Sequence, residues 1–461
     1  MFTQVRSSVF ASALLMALAL PASSTAQEGP PPEVRAAVGA LIEMLESSGD
    51  APLVSFLDAR LSATYRDSAT REAFLALLRE LRDAAQGSTD DVAVERAGEG
   101  LVLHLSGERT ISISLHLDGA GKVTHLELLG AEELPPSPFD NLTWDNLPEV
   151  FQRAADEAGF SGVVVARHDG EEILRKAYGL ADRGEGRPIR LNTIFGIGST
   201  PIDFTVTAIL ILAERGQVGL DDPLSRFIPN VPLDKQAITL RHLMTGGSGL
   251  PNFHDVPGVD WDPDLAWIDR DTAVRRILAQ PLLFEPGSGD GHSHSAFGLL
   301  AAVIEIASGT TYRDFVRSEI LEPVGMSRTG FYGESLGLDV SAFATGYGAS
   351  TVGIPNIPPN WGPTSWLVMG SGGMFSTLED MERYYDAIDA GRLLQGEGAQ
   401  WQQGARVGIG GSDRGFFILE ASNGEGSRVL LLANGEGRAI GERAMVEAIA
   451  SMVLGRPLRG G

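Results

Sequence analysis

Hydrophobic and polar positions follow two rhythms along this chain. Over residues 34–45 and 71–84 apolar side chains recur at helical spacing, whereas 101–105, 110–117 and 123–128 alternate with period two, which predicts helices followed by strands. Asp118-Gly119 and Gly121 supply turn residues between the last two strands. Residues 30–131 are therefore expected to form a small α+β domain of cystatin-like or NTF2-like shape. The run Leu134-Pro-Pro-Ser-Pro138 breaks both rhythms and marks 132–140 as a linker. Beyond it, 147–158 reads as a helix, 162–166 and 172–178 as strands around the turn Asp169-Gly170, 415–419 and 428–433 as further strands, and 442–454 as a closing helix. Strands at both ends of 141–456, with a helix-rich middle, imply one sheet assembled from distant segments.

Composition narrows the function classes. At 461 residues the chain exceeds a typical single core, and 43% hydrophobic content argues for a globular protein. A formal net charge of -24, with no basic cluster, argues against binding to nucleic-acid phosphates. Residues 1–26 read as a signal peptide: Arg6 gives positive charge, Val9 to Leu20 is apolar, and Ser24-Thr25-Ala26 offers small residues for cleavage. That apolar run is shorter than the roughly 20 residues a spanning helix needs. The mature protein is expected to be exported, to the periplasm or beyond a bacterial cell, with no stable membrane span. The chain has no cysteine, which rules out disulfides, thiolate metal sites and a thiol nucleophile.

The candidate chemistry centres on Ser199, in the stretch from Phe195 to Thr205. A serine at a helix start is either a nucleophile or an N-cap whose oxygen accepts a backbone N–H bond. Pro201 suits a first helical turn, and Asp203 suits the positive end of that helix. His292 and His294 form an H-x-H pair beside Asp290, but without a placed third ligand they assign no metal site, and no cofactor is implied. His104, His116 and His125 fall on strands as surface or pocket residues. Asp221 and Asp222 read as turn and cap residues, and Trp361 and Trp366 either border a cleft or pack in a loop.

Several landmarks together resemble serine β-lactamase and penicillin-binding-type hydrolases. They are Ala177-Tyr-Gly-Leu-Ala-Asp182, Leu220-Asp-Asp-Pro223, Ile238-Thr-Leu-Arg-His-Leu-Met-Thr245 with Ser248-Gly-Leu-Pro251, Phe284-Glu-Pro-Gly287, Leu321-Glu-Pro-Val-Gly-Met326 and Gly372-Gly-Met-Phe-Ser-Thr377. The resemblance implies a β-lactamase-like domain, an antiparallel sheet flanked by helices plus a helical region, of α+β or α/β class. It makes Ser199 the nucleophile and puts Ile202 where the family has the activating lysine. The chain's three lysines, Lys122, Lys176 and Lys235, lie elsewhere. By the same resemblance the family's Tyr-x-Asn triplet falls on His292-Ser293-His294, and its third motif, a basic residue, one residue, then glycine, falls on Ile409-Gly410-Gly411. His292 then becomes the candidate base of a Ser-His dyad, and His294, Gly410 and Gly411 become candidate substrate contacts. Two readings stay open. One is an acyl-enzyme hydrolase acting on a small ester, amide or peptide-like substrate; the other is a non-catalytic binding or regulatory module using the same cleft. The sequence names no protein partner for the N-terminal domain.

Overall fold

The computed structural model describes residues 32–86, 91–97, 100–106, 109–133, 137–253, 267–348, 351–412, 414–435 and 442–457. The signal-peptide expectation and residues 134–136 of the expected linker lie outside these residues. The chain divides at Ser137 into two compact units.

The N-terminal unit comprises helices α1 (Pro32–Glu46), α2 (Ala51–Arg60) and α3 (Arg71–Ala85), then strands β1 (Asp91–Ala97), β2 (Gly100–Ser106), β3 (Arg109–Leu117) and β4 (Val123–Glu133). The strands pair antiparallel in sequence order. Period-two alternation sends Leu103, Leu105, Ile111, Ile113 and Leu115 to one face, where they bury against Leu41, Phe56, Leu78 and Leu81 of the helices. The opposite face carries His104, bonded through Nδ1 to Ser112 Oγ at 3.0 Å, and the cross-strand pair His116 and His125.

The second unit is built on a five-stranded antiparallel sheet. Its strands are β5 (Gly162–His168), β6 (Glu171–Tyr178), β7 (Arg406–Ser412), β8 (Phe416–Ser422) and β9 (Arg428–Ala433), in the spatial order β7-β8-β9-β5-β6. All these pairings are antiparallel, so the class is α+β, and the sheet joins segments from both ends of the unit as the strand pattern implied. The pleat separates two cores. Val164, Phe417, Leu419, Val429 and Leu431 face the terminal helices α4 (Leu147–Glu157) and α8 (Glu442–Leu454). Val163, Val165, Ile418, Leu430 and Leu432 face the helical middle, which contains α5 (Pro201–Glu214), α6 (His294–Ser308) and α7 (Leu378–Asp389).

Candidate active site

Ser199 lies in the turn between the short strand Phe195–Gly196 and α5. That strand pairs with Phe375 and Ser376, and Ile197 N–H donates to Met374 O at 3.1 Å, which fixes where the turn begins. Gly198 follows with φ +51, a left-handed conformation that favours glycine. A Cβ there would fall 2.4 Å from Gly411 N and 2.6 Å from Gly411 O. The absence of a side chain at Gly198 is what lets the serine turn touch β7.

Ser199 is not the N-cap of α5. Thr200 is the residue flanking the helix, its side chain makes no capping bond, and Pro201 opens the helix without an N–H to satisfy. The Ser199 hydroxyl instead donates to the carbonyl of Ile409, on β7, at 3.4 Å. Its backbone carbonyl accepts from Ile202 N–H at 3.1 Å, so Ile202 stands one turn on from the hydroxyl.

Helix α5 is apolar almost all round, as a helix at the centre of a domain should be. Ile202, Phe204, Val206, Ile209 and Leu210 are all buried. Its two buried threonines are fully paired. Thr205 Oγ1 shares a hydrogen bond with Tyr312 OH at 2.7 Å and donates to Gly370 O at 2.6 Å, while Thr207 Oγ1 meets Tyr384 OH at 2.8 Å. These bonds lock the helix against the 370 loop and α7. Gly372 of that loop reaches the serine turn: a Cβ there would sit 3.2 Å from Gly198 O.

Strand β7 sets the other wall, and its pleat decides which of its residues face the serine turn. Ile409 and Val407 pack their side chains on the core of the terminal helices, away from Ser199. The site-facing positions are Gly408 and Gly410, with Arg406 before them. A Cβ on Gly410 would meet Ile197 O and Thr200 Oγ1 at 3.0 Å, so Gly410 is the close-approach glycine. The residue two places earlier on that face, where a basic side chain would point at the site, is Gly408. A Cβ added at Gly408 meets nothing within 4 Å. Because β7 is an edge strand whose Ile409 carbonyl points outward to Ser199, Gly411 N–H, two residues on, lies on the same open edge.

His292 and His294 flank Ser293 at the start of α6. Ser293 is the true N-cap there: its Oγ accepts from Ala296 N–H and donates to Pro251 O at 3.1 Å. The two imidazoles stand edge to face with centroids 5.0 Å apart; His292 also approaches Phe297, and His294 approaches Phe253. No hydrogen bond joins the Ser199 hydroxyl to His292 among the described residues, so the anticipated dyad is not formed in this conformation.

Behind the site lies an ion cluster that periodicity could not reveal. Glu420, the cross-strand partner of Gly408, is 1% exposed and faces Arg406 at 3.1 Å and Arg428 at 3.6 Å. Arg406 also pairs with Asp389 at 2.8 Å, and Arg428 with Asp386 at 2.7 Å and with Asp389. Burial pushes the Glu420 carboxyl up to about 7, against the pull of the two guanidinium groups, with Asp203 and Asp389 adding to the rise. Tyr385 OH donates to Asp203 Oδ2 at 3.2 Å, tying the first turn of α5 to this cluster.

The remaining expectations have structural answers. Asp222 accepts from Gly219 N–H at 2.6 Å and pairs with Arg226, while Asp221 pairs with Arg241. Asp222 thus serves its turn, whereas the Asp221 carboxylate serves an ion pair. Trp361 is 3% exposed and donates to Asn356 Oδ1 at 2.7 Å, so it packs within its loop. Among the described residues no group of three or more His, Cys, Asp or Glu could hold a metal ion, and no single helix is long and apolar enough to cross a membrane.

Comparison with known proteins agrees with this architecture. Residues 147–433, more than half the chain, match the family model described as Beta-lactamase. Penicillin-binding protein 4* of Bacillus subtilis is 30% identical over 252 residues, covering 53% of this chain and 55% of its own length. Esterase EstB of Burkholderia gladioli is 36% identical over 200 residues, covering 40% and 50% respectively. The chain thus spans about half the length of these curated relatives. Among solved structures, the octameric penicillin-binding protein homologue from Pyrococcus abyssi aligns with a TM-score of 0.54 at 22% identity, covering 68% of this chain and 78% of that one. A penicillin-binding protein from Bacillus halodurans aligns with a TM-score of 0.53 at 24% identity, covering 64% and 98%. These structures share the fold.

Proposed function

The chain belongs to the β-lactamase family, and from that premise we propose that it is an exported relative of its serine hydrolases which keeps the acyl-binding cleft but lacks the proton acceptor for efficient turnover. One observation carries this reading: the Ser199 hydroxyl is bonded to the Ile409 carbonyl, which cannot take its proton, and the side chain one turn on is Ile202. A serine hydroxyl is a weak nucleophile until a neighbouring base removes its proton. The second basic position is also vacant, since Gly408 has no side chain. What survives is binding geometry. Ser199 N–H, which makes no hydrogen bond among the described residues, and Gly411 N–H on the open strand edge are the donors we assign to a ligand carbonyl oxygen. Export rests on the composition of residues 1–26.

Under this reading the protein binds a carbonyl ligand in the cleft as a binding or regulatory module. A second reading, slow hydrolysis, would take His292, two residues before α6, as the base, since an imidazole is a competent proton acceptor at neutral pH. Steady-state assay with a chromogenic ester tests the proposal. The natural chain is expected to turn over no faster than its Ser199→Ala variant; serine-dependent turnover of one per second or faster would refute it.

A further inference from the structure

The segments that meet at the serine turn carry three titratable side chains, Asp203, His292 and His294. Residues 196–203 hold Ser199, 408–412 form the edge strand beside it, and the 366–374 loop lies behind, where Gly372 N–H donates to Val368 O at 2.8 Å and Gly372 abuts Gly198. The first turns of α6, 291–297, flank that loop, since a Cβ on Gly370 would fall 2.5 Å from Phe297 O. Together these four segments contain no lysine or arginine and a single carboxylate, Asp203. Arg406 precedes Gly408 on the same strand face, but its guanidinium is engaged by Asp389 and Glu420.

A ligand carboxylate entering this cleft would therefore find no lysine or arginine on these four segments, with His292 and His294 as the only bases there, and would approach a protein of net charge -24. The wall beyond Gly372 is apolar: Val368 packs with Leu367 and Phe253, and Ile268 lies against them. Crowding does not explain the missing charge, because a side chain at Gly408 has open space. Resting on the assignment of this cleft as the ligand site, we propose that it selects uncharged carbonyl compounds with an apolar acyl group over carboxylate-bearing ones, and that Gly408 is the position that sets this choice.

The matched pair methyl phenylacetate and the same ester carrying a para-carboxylate tests the inference. Each is titrated against the full chain by ligand-observed NMR at pH 7.5, with the Ser199→Ala variant as a control for the site and the same spectra reporting any ester cleavage. The neutral ester is expected to bind at least tenfold more tightly, and Gly408→Lys is expected to bring the ratio below threefold. Equal or tighter binding of the carboxylated ester by the natural chain would overturn the proposal. So would binding of neither ester by a folded chain. An unchanged ratio in a folded Gly408→Lys variant would remove Gly408 from the account, and if that variant does not fold, the ratio measured on the natural chain still decides the selectivity. Rapid cleavage would instead refute the disarmed-cleft reading while leaving the binding ratio interpretable.

Discussion

The Ser199 hydroxyl donates to the main-chain carbonyl of Ile409 at 3.4 Å, across 210 residues of sequence. A carbonyl holds a hydroxyl in place without making it reactive. The bond therefore keeps the serine oriented along the strand edge, and the carbonyl itself is no proton acceptor. Its existence depends on the glycines that bring the turn and the strand together.

Gly198 is the clearest test of that contact. Replacing it by alanine combines a left-handed φ with a Cβ 2.4 Å from Gly411 N, and is expected to cost about 2 to 4 kcal/mol of stability. Gly186 has φ +62 but no atom within 4 Å of an added Cβ, so Gly186→Ala should cost only about 1 kcal/mol. Urea unfolding of the two variants checks the difference; equal losses would mean that the turn does not press on β7 as described.

Glu420 gives a pH prediction with a definite sign. Its carboxyl is raised from 4.5 to about 7 in the folded state, so the folded chain holds that proton more tightly than the unfolded chain does. The resulting stabilisation is complete below about pH 4.5 and fades as pH rises through 7, a change on the order of 3 kcal/mol. Glu420→Gln should flatten this part of the stability profile between pH 5 and pH 8. The expectation fails if denaturant midpoints at the two pH values differ as much in the variant as in the natural chain.

If the natural chain shows residual hydrolysis of an activated ester, the account assigns it to His292. His292→Ala should then lower it at least tenfold, a typical worth of a positioned general base. His294→Ala, altering the neighbouring imidazole, should leave most of it. Unchanged hydrolysis in His292→Ala would direct attention to another base.

Much of the scaffold was legible because burial imposes a period. Residues 71–84 read as a helix and form α3, and 428–433 read as a strand and form β9, since in each case apolar side chains must fall on a packed face. β7 escaped that reading. Gly408, Gly410 and Gly411 remove the side chains whose alternation announces a strand, and glycine is disfavoured there, so only pairing with β8 makes it one. The same glycines leave the register of the expected third motif open to sequence reading, because the faces occupied by Ile409 and Gly408 are decided by the pleat. α2 was missed for a different reason: Leu53, Val54, Phe56 and Leu57 crowd together without a clean helical rhythm. Ile202 at the position expected for a lysine needed no structure to be noticed, but the partner of the Ser199 hydroxyl did, since it lies on a strand from the far end of the chain. Glu420 gave only the faint signal of one acid inside an apolar strand.

Ile202 sits 9% exposed on the buried side of α5, and a lysine introduced there would have its pKa lowered by burial, which suits a base. Incubating the natural chain and Ile202→Lys with an active-site-directed fluorophosphonate, and following the intact mass over time, tests the central claim most directly. The account predicts that Ser199 of the natural chain stays essentially unmodified while Ile202→Lys is labelled at least tenfold faster. Rapid, stoichiometric labelling of Ser199 in the natural chain would contradict it.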